Sequence, residues 1–374
     1  MNIAEIEPIA VSLPMVKPVI MAGEEVRRAD NVLVRLQADN GLVGWGEAAA
    51  APTMTGETTA SMVAAVQHLA PALVGRAADD IAGALAAMDG RMYGNHGAKA
   101  AIEIALHDLV GRATQRPAHA LLGERRRSRA TLLGVIGGGD LAGDLRDAGK
   151  KKDDGFAVFK IKVGVDTPAR DAERTRQICE VLRPGVLISA DANQGFSTQE
   201  AVAFVRAVAG CGLDFFEQPV VAHDLAGMAA VAAATDIAIG ADEGIHAAAD
   251  IRRHHEERAA RGVSLKAIKL GGMRAVVDAA RLCERLRMHV NVSCKTGESS
   301  IAGAAALHIA AVVPELAWGL TLTHAGLGED VTSHPIPING GSAGVLDRPG
   351  LGIEVDEDRV RRHRVYIAVQ QAAS

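Results

Sequence analysis

Residues 158–163 (VFKIKV), 186–193 (VLISADAN), 213–218 (LDFFEQ) and 237–243 (IAIGADE) are four short apolar runs, each ending in charge: Lys160 and Lys162, then Asp191, Glu217 and Asp242. Between them lie stretches with helical spacing, Pro168–Leu182, Ser197–Ala209 and Asp224–Ala234. Strands alternating with helices predict a parallel sheet with right-handed crossovers. The rhythm continues outward, to Leu132–Val135 upstream and to Ala267–Leu270, Val290–Val292 and Leu316–Leu322 downstream, with Met273–Leu286 as a further helix. Eight such runs within about 200 residues predict a closed (β/α)8 barrel rather than an open sheet.

The charges follow the same period. Lys162, Asp191, Glu217, Asp242 and Lys269 are separated by 29, 26, 25 and 27 residues, close to the length of one strand–helix unit. Each therefore occupies an equivalent place on a stave, at the C-terminal face where barrels build their sites. Three converging carboxylates repel one another unless a cation sits among them. All-oxygen ligands favour a hard ion, Mg²⁺, with Mn²⁺ as a substitute. Lys160 and Lys162 are two apart on a strand and so share a face. Crowding of their ammonium groups beside a dication is expected to lower their pKa values. Lys269 is expected across the mouth, and Lys266, three residues earlier, on the outside. A carboxylate substrate between such lysines has its α-proton within reach of a base, and charge then builds on the carboxylate oxygens beside the cation.

Upstream, alternating apolar residues in Ile3–Leu13, Asn31–Ala38 and Leu42–Glu47, with a turn at Asp39-Asn40-Gly41, predict an antiparallel meander. Helical patterns at Thr58–Leu73, Asp79–Met88 and Ala98–Thr114 complete an α+β cap. The expected organisation is a cap over residues 1–125, a barrel over 126–345, and a tail over 346–374 whose alternating stretch Arg361–Val369 adds a strand to the cap. Aromatic residues are 3% of the chain and the net charge is -5, which argues against a single-stranded nucleic-acid surface or an anionic membrane as partner. The scattered cysteines Cys179, Cys211, Cys283 and Cys294 and an N-terminus without a basic start and apolar block predict a reduced, cytoplasmic, soluble protein.

Taken together, these residues resemble the enolase superfamily, in particular the muconate-lactonizing subgroup of the mandelate racemase/muconate lactonizing enzyme family. The resemblance rests on Lys160-Ile161-Lys162, Asp191-Ala192-Asn193, Glu217-Gln218-Pro219, Ala241-Asp242-Glu243 and Ile268-Lys269-Leu270-Gly271-Gly272 in the barrel. In the cap it rests on Gly44-Trp45-Gly46-Glu47, Thr55-Gly56-Glu57-Thr58, residues 98–103 and Leu121-Leu122-Gly123, and in the tail on Pro349-Gly350-Leu351-Gly352. It implies a modified, TIM-like barrel with an α+β cap, metal ligands Asp191, Glu217 and Asp242, acid/base lysines Lys162 and Lys269 assisted by Lys160, and Asn193 and Glu243 beside the ligands. It also implies a homo-oligomer, a small carboxylate substrate, and cap loops near 14–28 and 48–58 that close over it.

Substrate contacts are expected from Glu57, Lys295, Glu298 and His324. The subgroup's dipeptide epimerases carry an Asp-x-Asp pair on the last strand, where this chain has Thr321-Leu322-Thr323-His324. With Lys295 and Glu298, that departure favours a muconate-type cycloisomerase. Racemisation or epimerisation of acylated amino acids or dipeptides, and a dehydration such as that of o-succinylbenzoate synthase, are the alternatives within the family. Outside it stand a Schiff-base lyase, which borohydride trapping would reveal, and a non-catalytic scaffold.

Overall fold

The computed structural model describes residues 1–21, 24–137 and 140–367. Strands β1 (Ile3–Met21), β2 (Glu24–Ala38) and β3 (Val43–Ala49) form the expected antiparallel meander in that order. Gly41, with φ 84°, turns β2 into β3. The β1–β2 hairpin is longer than its alternating pattern indicated. Pairing runs past Pro14–Arg28 to Met21–Glu24, with a register shift between Pro14 and Val19, so the segment expected as a loop at 14–28 is a strand-paired arm, apart from its tip at 22–23, which lies outside the described residues.

Helices α1 (Thr59–Leu69), α2 (Ile81–Arg91) and α3 (His96–Ala113) follow. Thr58 starts α1 through a capping box with Ser61. From Gly97 to Gly111, α3 has no exposed face. The cap sheet presses against it so closely that a Cβ on Gly46 would lie 1.9 Å from the Ala101 carbonyl oxygen. A short helix α4 (His119–Leu122) and strand β4 (Arg129–Thr131) lead into the barrel.

The barrel strands are β5 (Leu133–Ile136), β6 (Val158–Lys162), β7 (Leu187–Asp191), β8 (Phe215–Glu217), β9 (Ala238–Ala241), β10 (Gly262–Leu265), β11 (His289–Ser293) and β12 (Leu320–Thr321). They pair in parallel in sequence order, and a parallel bridge between Leu132 and Leu320 brings the last back to the first. Helices α5 (Leu141–Asp153), α6 (Pro168–Leu182), α7 (Thr198–Ala207), α8 (Leu225–Ala233), α9 (Ala248–Glu256), α10 (Ala267–Leu270), α11 (Met273–Leu286) and α12 (Ser300–Val312) form the crossovers. Strand β13 (Ser342–Gly344) pairs with β4. The barrel interior is a packed core. Trp318 stacks on Phe215 with ring centroids 3.9 Å apart, and Gly240 and Gly262 leave it room, since a Cβ on either would meet its indole.

Two expectations fail here. Ala267–Leu270 is not a strand but the single-turn helix α10; the sixth stave is Gly262–Leu265. A four-residue apolar run has no periodicity that separates strand from helix. The tail forms helix α13 (Glu357–His363), not a strand. The tail returns to the cap sheet through the bridge of Arg364 to Val11, the bond from Val365 N to Ala10 O at 2.8 Å and the ion pair of Arg364 with Glu7 at 2.9 Å; residues 368–374 lie outside the described residues.

Buried carboxylates of the cap hold it to the barrel. Glu103, on α3, accepts from Met273 N and from Arg274 N at 3.0 Å, the first turn of α11. Glu47, at the end of the meander, accepts from Ser299 N, Ser299 Oγ and Ala302 N, the start of α12. A helix N-terminus offers unpaired N–H groups and positive potential, which offset the cost of burying the acid. Gly272 permits the first contact, because a Cβ there would lie 2.3 Å from Glu103 Oε2.

Candidate active site

Side chains on a strand alternate between its two faces, and β10 sets the register of the site. Gly262 faces Trp318, and Ser264 donates to Glu217 Oε1 at 2.9 Å inside the barrel. Lys266, still extended at φ -129°, is next on that face. The same parity places Lys160 and Lys162 on β6, Asp191 at the end of β7, Glu217 at the end of β8 and Asp242 just past β9 around one mouth. Strand β10 stands four staves from β6 among eight, so Lys266 faces Lys162 across it.

These side chains form a buried ionic cluster. Lys160 Nζ spans Glu217 Oε2 at 2.6 Å and Asp191 Oδ2 at 3.6 Å. Lys162 Nζ reaches Asp191 Oδ2 at 2.7 Å and Asn193 Oδ1 at 2.5 Å. Lys266 Nζ donates to Asp242 Oδ2, and Lys269 Nζ to Asp242 Oδ1 at 2.6 Å. Asn193 links Asp191 to Glu243 through bonds of 3.0 and 3.2 Å. Gln218, from the Glu217-Gln218-Pro219 turn, accepts from Asp242 N at 2.9 Å and so fixes where β9 ends.

The cluster's charges shift one another. Burial would raise Asp191 and Asp242, but Lys162 and Lys160 outweigh it at the first and Lys266 and Lys269 at the second, so both are held low. Burial raises Glu217, and raises Glu243 to about 7 with help from Asp242 and Asp191. Lys160 runs against expectation. Burial favours its neutral form, yet the charges of Glu217, Asp191 and Asp242 outweigh burial and hold it above the ordinary lysine range. A cation among the same carboxylates would cancel part of that hold.

Among the described residues, no three His, Cys, Asp or Glu side chains stand as a preassembled metal cluster; ammonium groups lie between the acids. The chemistry of Asp191, Glu217 and Asp242 nevertheless fits a hard divalent ion. All three offer oxygen, they come from consecutive staves, and Glu217 Oε2 is buried with an ion-pair contact but no well-directed hydrogen bond.

The cluster forms one wall of a cavity of about 380 Å³ that also takes Met15 and Met54 from the cap, and Lys295 and Leu322 from beyond β11 and β12. Lys162 and Lys266 both line it; Lys269 does not. The assignment of Lys269 to the mouth, and of Lys266 to the outside, is therefore reversed. Lys269 sits on α10, fully buried, and donates to the Asp242 carboxylate and carbonyl and to Ser264 O at 3.0 Å. Burial, ahead of its neighbours' charges, keeps its pKa below the usual lysine value. The signal for Lys266 was present in the sequence as the Gly262, Ser264, Lys266 alternation.

Three expected substrate contacts are absent from the cavity wall. Glu57 accepts from Gly97 N at 2.8 Å and Ala98 N at 3.2 Å, capping α3, and leaves its neighbours Thr53 and Met54 at the cavity. His324 turns away, with its Nε2 on Ile336 O at 2.9 Å. Glu298 accepts from Lys295 N at 2.8 Å and faces a small void beside Glu47. Only Lys295 of the four is at the wall.

Burial and the neighbouring Asp330 push Glu47 up to about 7, and burial with Glu47 pushes Glu298 up to about 8, against the opposing charge of Lys295; Cys294 completes this surround. A carboxyl raised in the folded state supports folding while protonated, and loses that support as pH climbs past its unfolded value toward its folded one. Glu298→Gln should thus gain stability relative to the parent chain between pH of about 5 and about 8, measured by urea unfolding at each pH. A constant difference would contradict the buried neutral acid.

Residues 5–123 match the family model described as the mandelate racemase / muconate lactonizing enzyme N-terminal domain, and residues 144–359 match that described as enolase C-terminal domain-like. The chain is 30% identical to the N-succinyl-L-Arg/Lys racemase of Bacillus cereus over 98% of this chain and 99% of that protein. It is 33% identical to the L-Ala-D/L-Glu epimerase of Bacillus subtilis over 94% and 97%, and 30% identical to the chloromuconate cycloisomerase of a Pseudomonas species over 97% and 99%. Its fold superposes on the muconate lactonizing enzyme of Pseudomonas fluorescens, solved with muconolactone, with a TM-score of 0.93 at 30% identity, covering 97% of this chain and 99% of that one.

Proposed function

Since the chain belongs to the mandelate racemase/muconate lactonizing enzyme family and is an isomerase of the enolase superfamily, we propose that it isomerises a small carboxylate by moving the proton on the carbon next to the carboxyl group. One observation carries this reading: Lys162 and Lys266 line the same cavity from opposite staves, with three carboxylates between them. Family membership implies use of a divalent metal; Asp191, Glu217 and Asp242 would hold it, and we assign it as Mg²⁺. When bound, it supplies positive charge where the deprotonated substrate gathers negative charge.

The chain's own groups do the rest. Lys160, buried beneath Lys162, adds a fixed positive charge toward the substrate carboxyl group. For a substrate with an α-proton, one amine of the Lys162–Lys266 pair takes it and the other holds a proton for the opposite face; for a muconate, one of these amines delivers a proton to the α-carbon as the other carboxylate closes the lactone. Asn193 keeps Lys162 aimed by accepting from its Nζ. Met15, on the β1–β2 arm, and Met54, in the loop after β3, roof the cavity, so the segment 1–125 acts as the selecting cap and exclusion of water falls to it.

The wall away from the lysines narrows the substrate. Thr321, Leu322 and Thr323 bring no carboxylate to hold a substrate ammonium, whereas Lys295 brings a cation. That supports cycloisomerisation of a muconate-type dicarboxylate as the first reading. Racemisation of an N-acylated amino acid, which carries no free ammonium, is the second, favoured by the amine on each wall. Incubation in heavy water with muconates and with N-acyl amino acids, followed by NMR, tests both. Deuterium next to the carboxylate of a recovered substrate, or of the lactone formed from a muconate, lost after EDTA and restored by Mg²⁺, is expected. Metal-independent incorporation, or no deuterium in any α-protonated carboxylate and no lactone formed from a muconate, would end the reading. Lys295→Met should raise KM for a dicarboxylate roughly 10-fold or more, with kcat less affected; an unchanged KM would remove Lys295 from the substrate.

A further inference from the structure

Away from the cavity, two of the four cysteines stand together. Cys179 lies in the last turn of α6 and Cys211 in the turn between α7 and β8, and their sulfurs share a hydrogen-bond contact at 3.8 Å. Cys179 is buried and Cys211 half-buried. The turn is Gly210-Cys211-Gly212, with φ 76° at the first glycine and 88° at the second, conformations that glycine adopts without steric cost. Arg183 closes over it, donating to Gly212 O and to Asp214 Oδ2 at 2.8 Å.

We propose that Cys179 and Cys211 form an oxidative modification site, at which a hydroperoxide converts the pair to a disulfide that staples α6 to the turn entering β8. The Cys211 thiolate attacks one peroxide oxygen; an S–O bond forms, the O–O bond breaks, and the other oxygen leaves as alcohol after taking a proton. The sulfur of Cys179 then displaces hydroxide from the Cys211 sulfenic acid, forming the S–S bond, and its thiol proton leaves with the hydroxide as water. The two thiols are oxidised by two electrons in all, and the peroxide is reduced by the same two.

The surroundings favour this order. The contact with Cys179 brings Cys211 down to about 7, against burial and with help from Arg176 and Arg183, while the same contact and burial hold Cys179 above the usual thiol range. The other two thiols compete poorly, because burial pushes Cys283 up to about 12 and Cys294 well above the usual range. The thiolate is the reactive form. Closing the 3.8 Å gap to a covalent bond requires movement of under about 2 Å, and the glycine-flanked turn offers it.

Cys211 precedes β8, so the pair sits at the N-terminal end of the strands, opposite the catalytic mouth. The link should therefore change stability and leave turnover alone. It would close a loop between positions 32 apart, which restricts the unfolded chain.

The test uses the full-length protein and hydrogen peroxide, with thiol counting after denaturation, peptide mapping and a melting curve. Expected are the loss of two of the four thiols, a Cys179–Cys211 linked peptide, a Tm raised by several degrees, reversal by a dithiol reductant and unchanged turnover. Cys179→Ser or Cys211→Ser should abolish the link and the Tm shift, and Cys283→Ser should not. Four surviving thiols under peroxide that consumes those of the unfolded chain would overturn the proposal. So would Cys211 passing to sulfinic acid without forming the link.

Discussion

Replacing Lys266 with alanine should lower turnover by roughly 10²–10⁴-fold, the usual contribution of a positioned general acid or base, in a chain that still folds, since Lys269 remains paired with Asp242. Its ammonium lies at the cavity wall on Asp242 Oδ2, at the stave facing Lys162. The removed stem borders the cavity, so the gap opens to solvent instead of leaving a closed void. Proton exchange separates its role from that of Lys162. If the two amines serve opposite faces, Lys266→Ala should still exchange the α-proton of one enantiomer of a chiral substrate and fail with the other, and Lys162→Ala should show the reverse preference. Equal residual exchange of both enantiomers in each variant would remove the two-sided arrangement.

Replacing Lys269 with methionine should give the complementary result. Its Nζ is sealed beneath the mouth and pairs with Asp242 Oδ1 while satisfying two backbone carbonyls. Removing one partner of a buried pair leaves the other uncompensated and costs about 3–5 kcal/mol of stability. Lys266 still reaches Asp242 in this variant, so the lower figure applies. Activity of the folded fraction should return as Mg²⁺ is raised, because contacts behind a metal ligand change metal affinity by roughly 10–100-fold without supplying the proton. A loss in Lys269→Met that no metal concentration restores, in a chain of normal stability, would return the catalytic role to Lys269.

The near-exchange of these two lysines shows where sequence reading works and where it stops. Position 266 follows Asp242 by 24 residues and position 269 by 27; either fits one strand–helix unit. Choosing between them needs the end of the sixth strand. Ala267–Leu270 looks like a strand because it is apolar, whereas the true stave, Gly262–Leu265, carries a glycine and a serine that a strand search discounts. Those residues are small or polar because they face Trp318 and Glu217, partners far away in the chain. Glu57 and Glu298 are similar cases: each lies near the cavity along the chain, and each points instead at backbone N–H groups.

The sequence by itself determined the alternation of strands and helices, the barrel with its cap, and the three acids and two lysines of β6–β9. These follow from local periodicity, since a stave of near-constant length returns each terminal residue to the same rim. The tertiary structure alone decided which amine faces Lys162, which acids cap helices, and which of Lys295, Glu298 and His324 meets the cavity. A side chain's direction there depends on where one short strand ends and on what packs beneath it, and those contacts join residues that lie far apart in the chain.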